Sequence, residues 1–278
     1  MTVAHSDQAA ASPGFEEWRG EWRDARPEWR LLETFMPVTR EAPAVALEML
    51  VGEWLDAALA ISEPDVARRK LAWWHDEVSG LGEGRARHPL TTAIAGGARA
   101  RDVSPSLARA VGAALAMVDI ESVTSTAELI DASLPLAIAL DEAGIALELW
   151  RPHPAARAMA ASLVGDLLRD WPRFARPERG LVPLALLARH GLDRSGARSG
   201  SEAAACDALL RDFALELGAA VGHGHRGDLA AARLAVARLW LAAAARAPRA
   251  AREGRLQAPR FRLLWTLWRL ARESGRAG

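Results

Sequence analysis

Apolar side chains recur along this chain at helical spacing, in stretches of roughly 12–20 residues that are too long for single strands. Alternation with a period of two is scarce, and alanine, leucine and arginine, all good helix formers, fill the stretches between breakers. Tyrosine, which favours strands, is absent. The pattern predicts about nine or ten helices and no sheet. It reads as one all-α domain over residues 15–275 after a flexible N-terminal segment, 1–14, with no interdomain linker. The best loop signal is the polar, glycine-containing run "HGLDRSGARSGSEAAAC" at 190–206.

The 278 residues are half hydrophobic, which supplies a sizeable core. Lysine plus arginine equals aspartate plus glutamate at 35 each, so no nucleic-acid partner is expected. Lys70 is the only lysine. Cys206 is the only cysteine, which excludes a disulfide framework and a thiolate zinc cluster. The opening "MTVAHSDQAAASPGFEEWRGEWR" lacks an apolar core after a basic start, so no secretory signal is expected. The most apolar stretch, 229–248, is interrupted by Arg233 and Arg238, which argues against a membrane span. These features together suggest a reduced, cytoplasmic protein.

Both ends carry amphipathic patterns. Trp18, Trp22 and Trp29 fall along one stripe near the start, as in a helix packing indoles on a core. Near the end, "PRFRLLWTLWRLARES" places Phe261, Leu264, Trp265 and Trp268 on one face and Arg262, Arg269 and Arg272 on another. The first expectation is that this aromatic face docks on the chain's own bundle. The second is peripheral membrane contact through 260–272, because tryptophan and arginine suit a lipid interface.

The stretch "DLLRDWPRFARPERG" at 166–180 carries the main chemical signal. Asp166 and Asp170 are four apart, and on a helix that spacing puts two carboxylates on one face. Such a pair is able to hold magnesium against a diphosphate, since magnesium takes one or two carboxylates plus phosphate and water. Pro172 disfavours helical geometry at Trp171, so the helix is expected to end near Asp170. Arg169, Arg173, Arg176 and Arg179 are candidate phosphate binders, with Gly180 beside them, because arginine forks match phosphate oxygens. The alternative is that they offset Asp170 at the helix end. A second acidic pair, Glu53 and Asp56, lies three apart in "GEWLDAALAISEP". His223 and His225, with Asp228 nearby, read as a glycine-rich loop rather than a metal site.

One segment, "ISEPDVARRKLAWWHDEVSGLGEGRARHPLTTAI" at 61–94, carries an ordered set of elements. Lys70, Leu71, Trp73, Trp74, Asp76 and Glu77 are followed by Gly84, His88, Pro89 and Ala93. This order resembles the squalene/phytoene synthase superfamily, with both tryptophans expected as core anchors. Residues 125–147 and 161–191 continue the resemblance in register, so that it spans most of 28–272. It implies the terpenoid (isoprenoid) synthase fold, a helical bundle around a central cavity. Active members condense two prenyl diphosphates, using magnesium held by two D-x-x-x-D motifs.

The chain departs from that pattern at both motifs. Ala57 stands where the first pair would need its second aspartate, and Phe174 stands four residues after Asp170. Ser62, Glu63, Pro64, Leu167, Leu168, Arg169, Pro172, Val182, Pro183, His190 and Gly191 look most like one degenerate branch. That branch contains the mitochondrial complex I assembly factor and its bacterial relatives. The resemblance therefore implies a pseudoenzyme with no cofactor, serving as a binding or assembly module. A respiratory complex or its assembly intermediates would be the partner, a prenyl or lipid ligand would fit the cavity, and the inner membrane would lie nearby. The alternative is an active magnesium-dependent prenyltransferase using Glu53, Asp56, Asp166 and Asp170 on farnesyl or geranylgeranyl diphosphate.

Overall fold

The structure is a computed structural model that describes residues 13–95, 99–151, 156–175, 180–199, 201–222, 228–257 and 259–274. The expected N-terminal segment 1–14 falls outside these residues except for Pro13 and Gly14, which open a helix. All the regular structure among the described residues is helical. In chain order the first helices are α1 (Pro13–Ala25), α2 (Pro27–Phe35), α3 (Ala42–Ala60), α4 (Pro64–Ser79) and α5 (Pro89–Ala95). Then come α6 (Ala100–Val118), α7 (Thr126–Ala146), α8 (Ala156–Gly165), α9 (Trp171–Phe174) and α10 (Leu184–Arg189). The last are α11 (Arg194–Ser199), α12 (Ala203–Val221), α13 (Leu229–Arg246), α14 (Pro248–Arg252) and α15 (Arg260–Ser274). These fifteen exceed the nine or ten expected; five have seven or fewer residues and lie where periodicity is too brief to register. One of them, α11, sits inside the run expected to be loop.

Local chemistry explains the helix starts. Prolines occupy the first turn of α2, α3 and α4, where a missing N–H costs nothing. Ser125 Oγ accepts from the Glu128 amide at 3.2 Å, capping α7, and the Glu128 carboxylate accepts from the Thr124 amide at 2.6 Å just before the cap. Asp228, read beside the two histidines, caps α13 by accepting from the Ala231 amide at 2.9 Å. His223 and His225 lie outside the described residues.

The buried side chains form one contiguous cluster from Phe15 to Leu270. The innermost element is α3, which buries thirteen of its nineteen residues. A helix apolar nearly all round has to be enclosed, and α3 packs against α4, α5, α6 and α9. Helices α6 and α7 pair, α7 leads to α8, and α8 packs on α12 and α13. Gly180 is a packing glycine: an added Cβ would lie 1.9 Å from the Glu121 carbonyl oxygen. This close approach lets Val123 donate to the Gly180 carbonyl at 3.2 Å and Leu184 donate to Val123 at 2.9 Å, which pins the 180–185 segment beside 121–124.

The tryptophan-rich segment builds a corner. Glu77 Oε1 accepts from the Arg87 amide at 2.6 Å, the His88 amide at 2.7 Å and the Thr91 hydroxyl at 2.6 Å, holding the start of α5 against the end of α4. His88 stacks edgewise on Trp18, Trp73 and Trp74, with centroids 5.0, 5.8 and 4.7 Å away. Trp74 is 2% exposed and anchors the core as expected, but Trp73 is 49% exposed. Adjacent helical residues lie about 100° apart, so only one of a pair faces inward.

Two further expectations are corrected. The α-helix before Trp171 ends at Gly165, then tightens into a 3₁₀ helix over Asp166–Asp170 and passes into α9. Trp171 is helical, with φ −48° and ψ −45°, because Pro172 stands in the first turn of a new helix. In α15, Leu263, Leu267 and Leu270 are buried, and α15 packs against α2 and α13. The aromatic face read as docked points outward instead. Its leucine stripe offered an equally apolar face of smaller, more easily packed side chains.

The Glu77–His88 corner sets a pH response. Burial raises the Glu77 pKa, but the hydrogen bonds from His88, Thr91 and Arg87 outweigh it, so the folded value lies below the ordinary one. Burial pushes His88 down, with Glu77 and Glu53 opposing. In both cases the unfolded chain binds protons more readily, so each group contributes stability at neutral pH that is lost with acidification. The His88 contribution should fade from about pH 6.5 downward, and the Glu77 contribution below about pH 4.5. Urea midpoints measured from pH 8 to 4 should fall, and the His88→Gln variant should lose the upper part of that slope.

Candidate functional site

A cavity of ≈ 1040 Å³ opens between α2, α3, α13 and α15, with residues 166–174 along one wall. Its position follows from α3. The only incompletely buried positions in the middle of that helix are Glu48, Gly52, Glu53 and Asp56, and three of these four line the cavity. Glu53 does not; it turns to α4 and pairs with Lys70 Nζ at 2.9 Å.

Asp56 and Asp166, from the two predicted acidic pairs, meet at this cavity. Asp56 pairs with Arg173 at 2.5 Å, and Asp166 Oδ1 lies 4.0 Å from Arg169. Burial pushes the Asp56 carboxyl above its ordinary value, with Arg173 and Lys70 opposing and Glu53 reinforcing. The Asp170 side chain, Arg176 and Arg179 fall outside the described residues. Phe174, four residues after Asp170, lines the cavity. Trp171 points elsewhere: it is buried, its Nε1 donates to the Ala197 carbonyl at 3.3 Å, and its ring lies against Phe213.

Arginine dominates the polar lining. Arg169 Nη1 donates to Glu28 at 2.6 Å, and its guanidinium lies 4.2 Å from the centroid of Trp240. Arg233 Nη1 donates to Glu48 at 2.7 Å. Arg26 has no carboxylate within ion-pair distance among the described residues; its guanidinium lies over the Trp22 ring, 5.7 Å from the centroid. Burial pushes its guanidinium below the ordinary arginine value, the Asp166 charge opposes this, and Arg169 adds to it. With Arg30 and Arg260 the cavity lining holds six arginines against four carboxylates, a formal excess of two positive charges. The remaining wall is largely apolar, including Leu31, Val51, Leu55, Phe174 and Leu264. Glu28 Oε2 and Trp240 Nε1 are buried at this wall with no protein hydrogen-bond partner.

The donor set does not fit magnesium held by paired aspartates. No group of three or more histidine, cysteine, aspartate or glutamate side chains among the described residues is arranged to hold a metal ion. Each of the four carboxylates lining the cavity has an arginine at 4.0 Å or less, Arg169 serving both Glu28 and Asp166. The arrangement instead supplies fixed positive charge beside an apolar wall. Sequence reasoning singled out Arg169 and Arg173 but missed Arg26, Arg233, Glu28 and Glu48. Arg26 precedes Pro27 between two helices, and Arg233 interrupts an apolar helix. That interruption was the one available signal. No protein-family model and no curated protein matches this chain.

The two arginines should behave differently on deletion. Arg169→Ala strands the buried Glu28 carboxylate and should cost about 3 kcal/mol. Arg26→Ala removes a half-buried charge that no carboxylate among the described residues pairs, so chemical unfolding should find it close to neutral.

Proposed function

We propose that this chain is a squalene/phytoene synthase-like bundle of the terpenoid synthase fold. In this reading it has lost prenyl condensation and keeps the cavity as a binding site for an amphipathic anion. The observation that carries the reading is Arg26, a half-buried guanidinium that lines a cavity with a formal excess of two positive charges and has no carboxylate within ion-pair distance among the described residues. An anionic ligand group would give such a guanidinium a charge-assisted acceptor. The cavity volume of ≈ 1040 Å³ is at the upper end of ordinary ligand sites and suits a long chain with a charged head, such as a prenyl or lipid phosphate.

Farnesyl diphosphate in the presence of a metal chelator is the direct probe. Calorimetry should show binding that farnesol, lacking the charge, and inorganic diphosphate, lacking the chain, each reproduce at least about tenfold more weakly. Arg26→Ala should weaken it by about tenfold or more, the size of a lost charge-assisted hydrogen bond. Equal affinity in the variant, or no binding at all, would overturn the reading.

The second reading is the active prenyltransferase, and it rests on Asp56 and Asp166 lining one cavity. It requires both carboxylates to exchange their arginine neighbours for magnesium. Diphosphate release from farnesyl or geranylgeranyl diphosphate, dependent on magnesium and abolished by Asp166→Ala, would establish it in place of the first.

The resemblance to the degenerate branch extends the proposal to a partner, respiratory complex I or its assembly intermediates, met in the cytoplasm at the inner membrane. No helix among the described residues is long and apolar enough to cross a membrane, so the proposed attachment is peripheral. Deleting the gene should lower complex I abundance in native gels; unchanged abundance and NADH oxidation would remove this partner.

A further inference from the structure

The exposed face of α15 differs from the surface around it. Phe261 is 80% exposed and Trp265 57%, with Leu264 and Trp268 exposed beside them. These four lie within eight residues, whereas the other large exposed hydrophobic side chains of the described residues are scattered over the chain. At 100° per residue they fall on one ridge, opposite the buried Leu263, Leu267 and Leu270. The two indoles lie against each other with centroids 4.9 Å apart, and the Arg272 guanidinium lies over Trp268 at 4.8 Å. Arg262 and Arg269 flank the ridge on one side and Arg260 on the other, all exposed. The helix sequence holds four arginines against one acid, Glu273, in a chain whose net charge is zero.

We infer that α15 is a docking helix for an anionic lipid surface, lying in the interface with the Phe261–Trp268 ridge among the acyl chains and its arginines at the headgroups. The charge pattern selects this occupant. Exposed arginines on both flanks repel a second copy of the same face, whereas each gains from a phosphate-bearing bilayer. Tryptophan suits that depth because its apolar ring carries an N–H for the headgroup layer. Arg260, Phe261 and Leu264 also line the cavity, so docking by this ridge would set the cavity beside the lipid. The docking stands on the exposed ridge alone and does not depend on what the cavity binds.

The test is flotation of the full chain with vesicles of phosphatidylcholine containing about 30% phosphatidylglycerol, with tryptophan emission as a second readout. The protein should float with these vesicles and its emission should shift to the blue. Binding should be at least about tenfold weaker on pure phosphatidylcholine and should fall as salt shortens the screening length. Trp265→Ser and the Trp265→Ser/Trp268→Ser pair should retain the native far-ultraviolet dichroism, since both side chains face solvent, yet lose about tenfold or more in partitioning. Arg262→Glu should weaken binding to the anionic vesicles and leave binding to neutral ones unchanged. Failure of the unaltered protein to float overturns the inference. So does undiminished flotation of the paired variant, or a concentration-dependent dimer that Trp265→Ser disperses, which would assign the ridge to a second copy.

Discussion

The contact on which the cavity depends is the Arg169 guanidinium. It pairs with Glu28, 141 residues away in sequence, and lies over the Trp240 ring. One side chain from the 3₁₀ segment thus joins α2 and α13, which form two sides of the cavity, while the same segment forms a third. The pair is mostly buried, where an ion pair contributes little net stability but costs several kcal/mol when halved. Its consequence is geometric. It fixes where α2 runs, and therefore where Arg26, one residue before that helix, is held.

The same arginines alter the chemistry available at the wall. In a magnesium-dependent site, carboxylates face a space that needs positive charge. Here Arg173 sits on Asp56, Arg233 on Glu48 and Arg169 on Glu28, so the space is left with an excess of positive charge. Phe174 adds a ring to the same lining, so the carboxylates there orient arginines beside an apolar wall.

The sequence made the helical architecture legible because it is local: long stretches with apolar residues at helical spacing declare themselves within a few residues. The capping role of Glu77 was not legible as such, although the residue stood out in the tryptophan-rich segment; its partners lie 10–14 residues away across a turn. Asp56 and Asp166 were singled out as separate pairs, and only folding puts them at one cavity. Arg26 and Arg233 had no motif to mark them, since an arginine becomes unusual only once its burial and partners are known. The outward aromatic ridge of α15 was misplaced because periodicity finds an apolar stripe without saying which stripe turns inward. When a helix carries two, packing decides, and here the three leucines are the ones buried while α15 packs on α2 and α13.

That choice has a thermodynamic reading. Leaving Phe261, Trp265 and Trp268 in water forgoes roughly 1.5–3 kcal/mol for each large side chain that could have been buried. A fold that needed only to close its core would gain by turning this face inward or by carrying polar residues there. Arg26, half-buried in the cavity lining without a carboxylate in ion-pair range among the described residues, is a charged counterpart to that apolar exposure. The cavity lining and α15 share Arg260, Phe261 and Leu264. Under the proposed function and docking the two features would act together, with an apolar face toward the bilayer and a cationic pocket opening beside it.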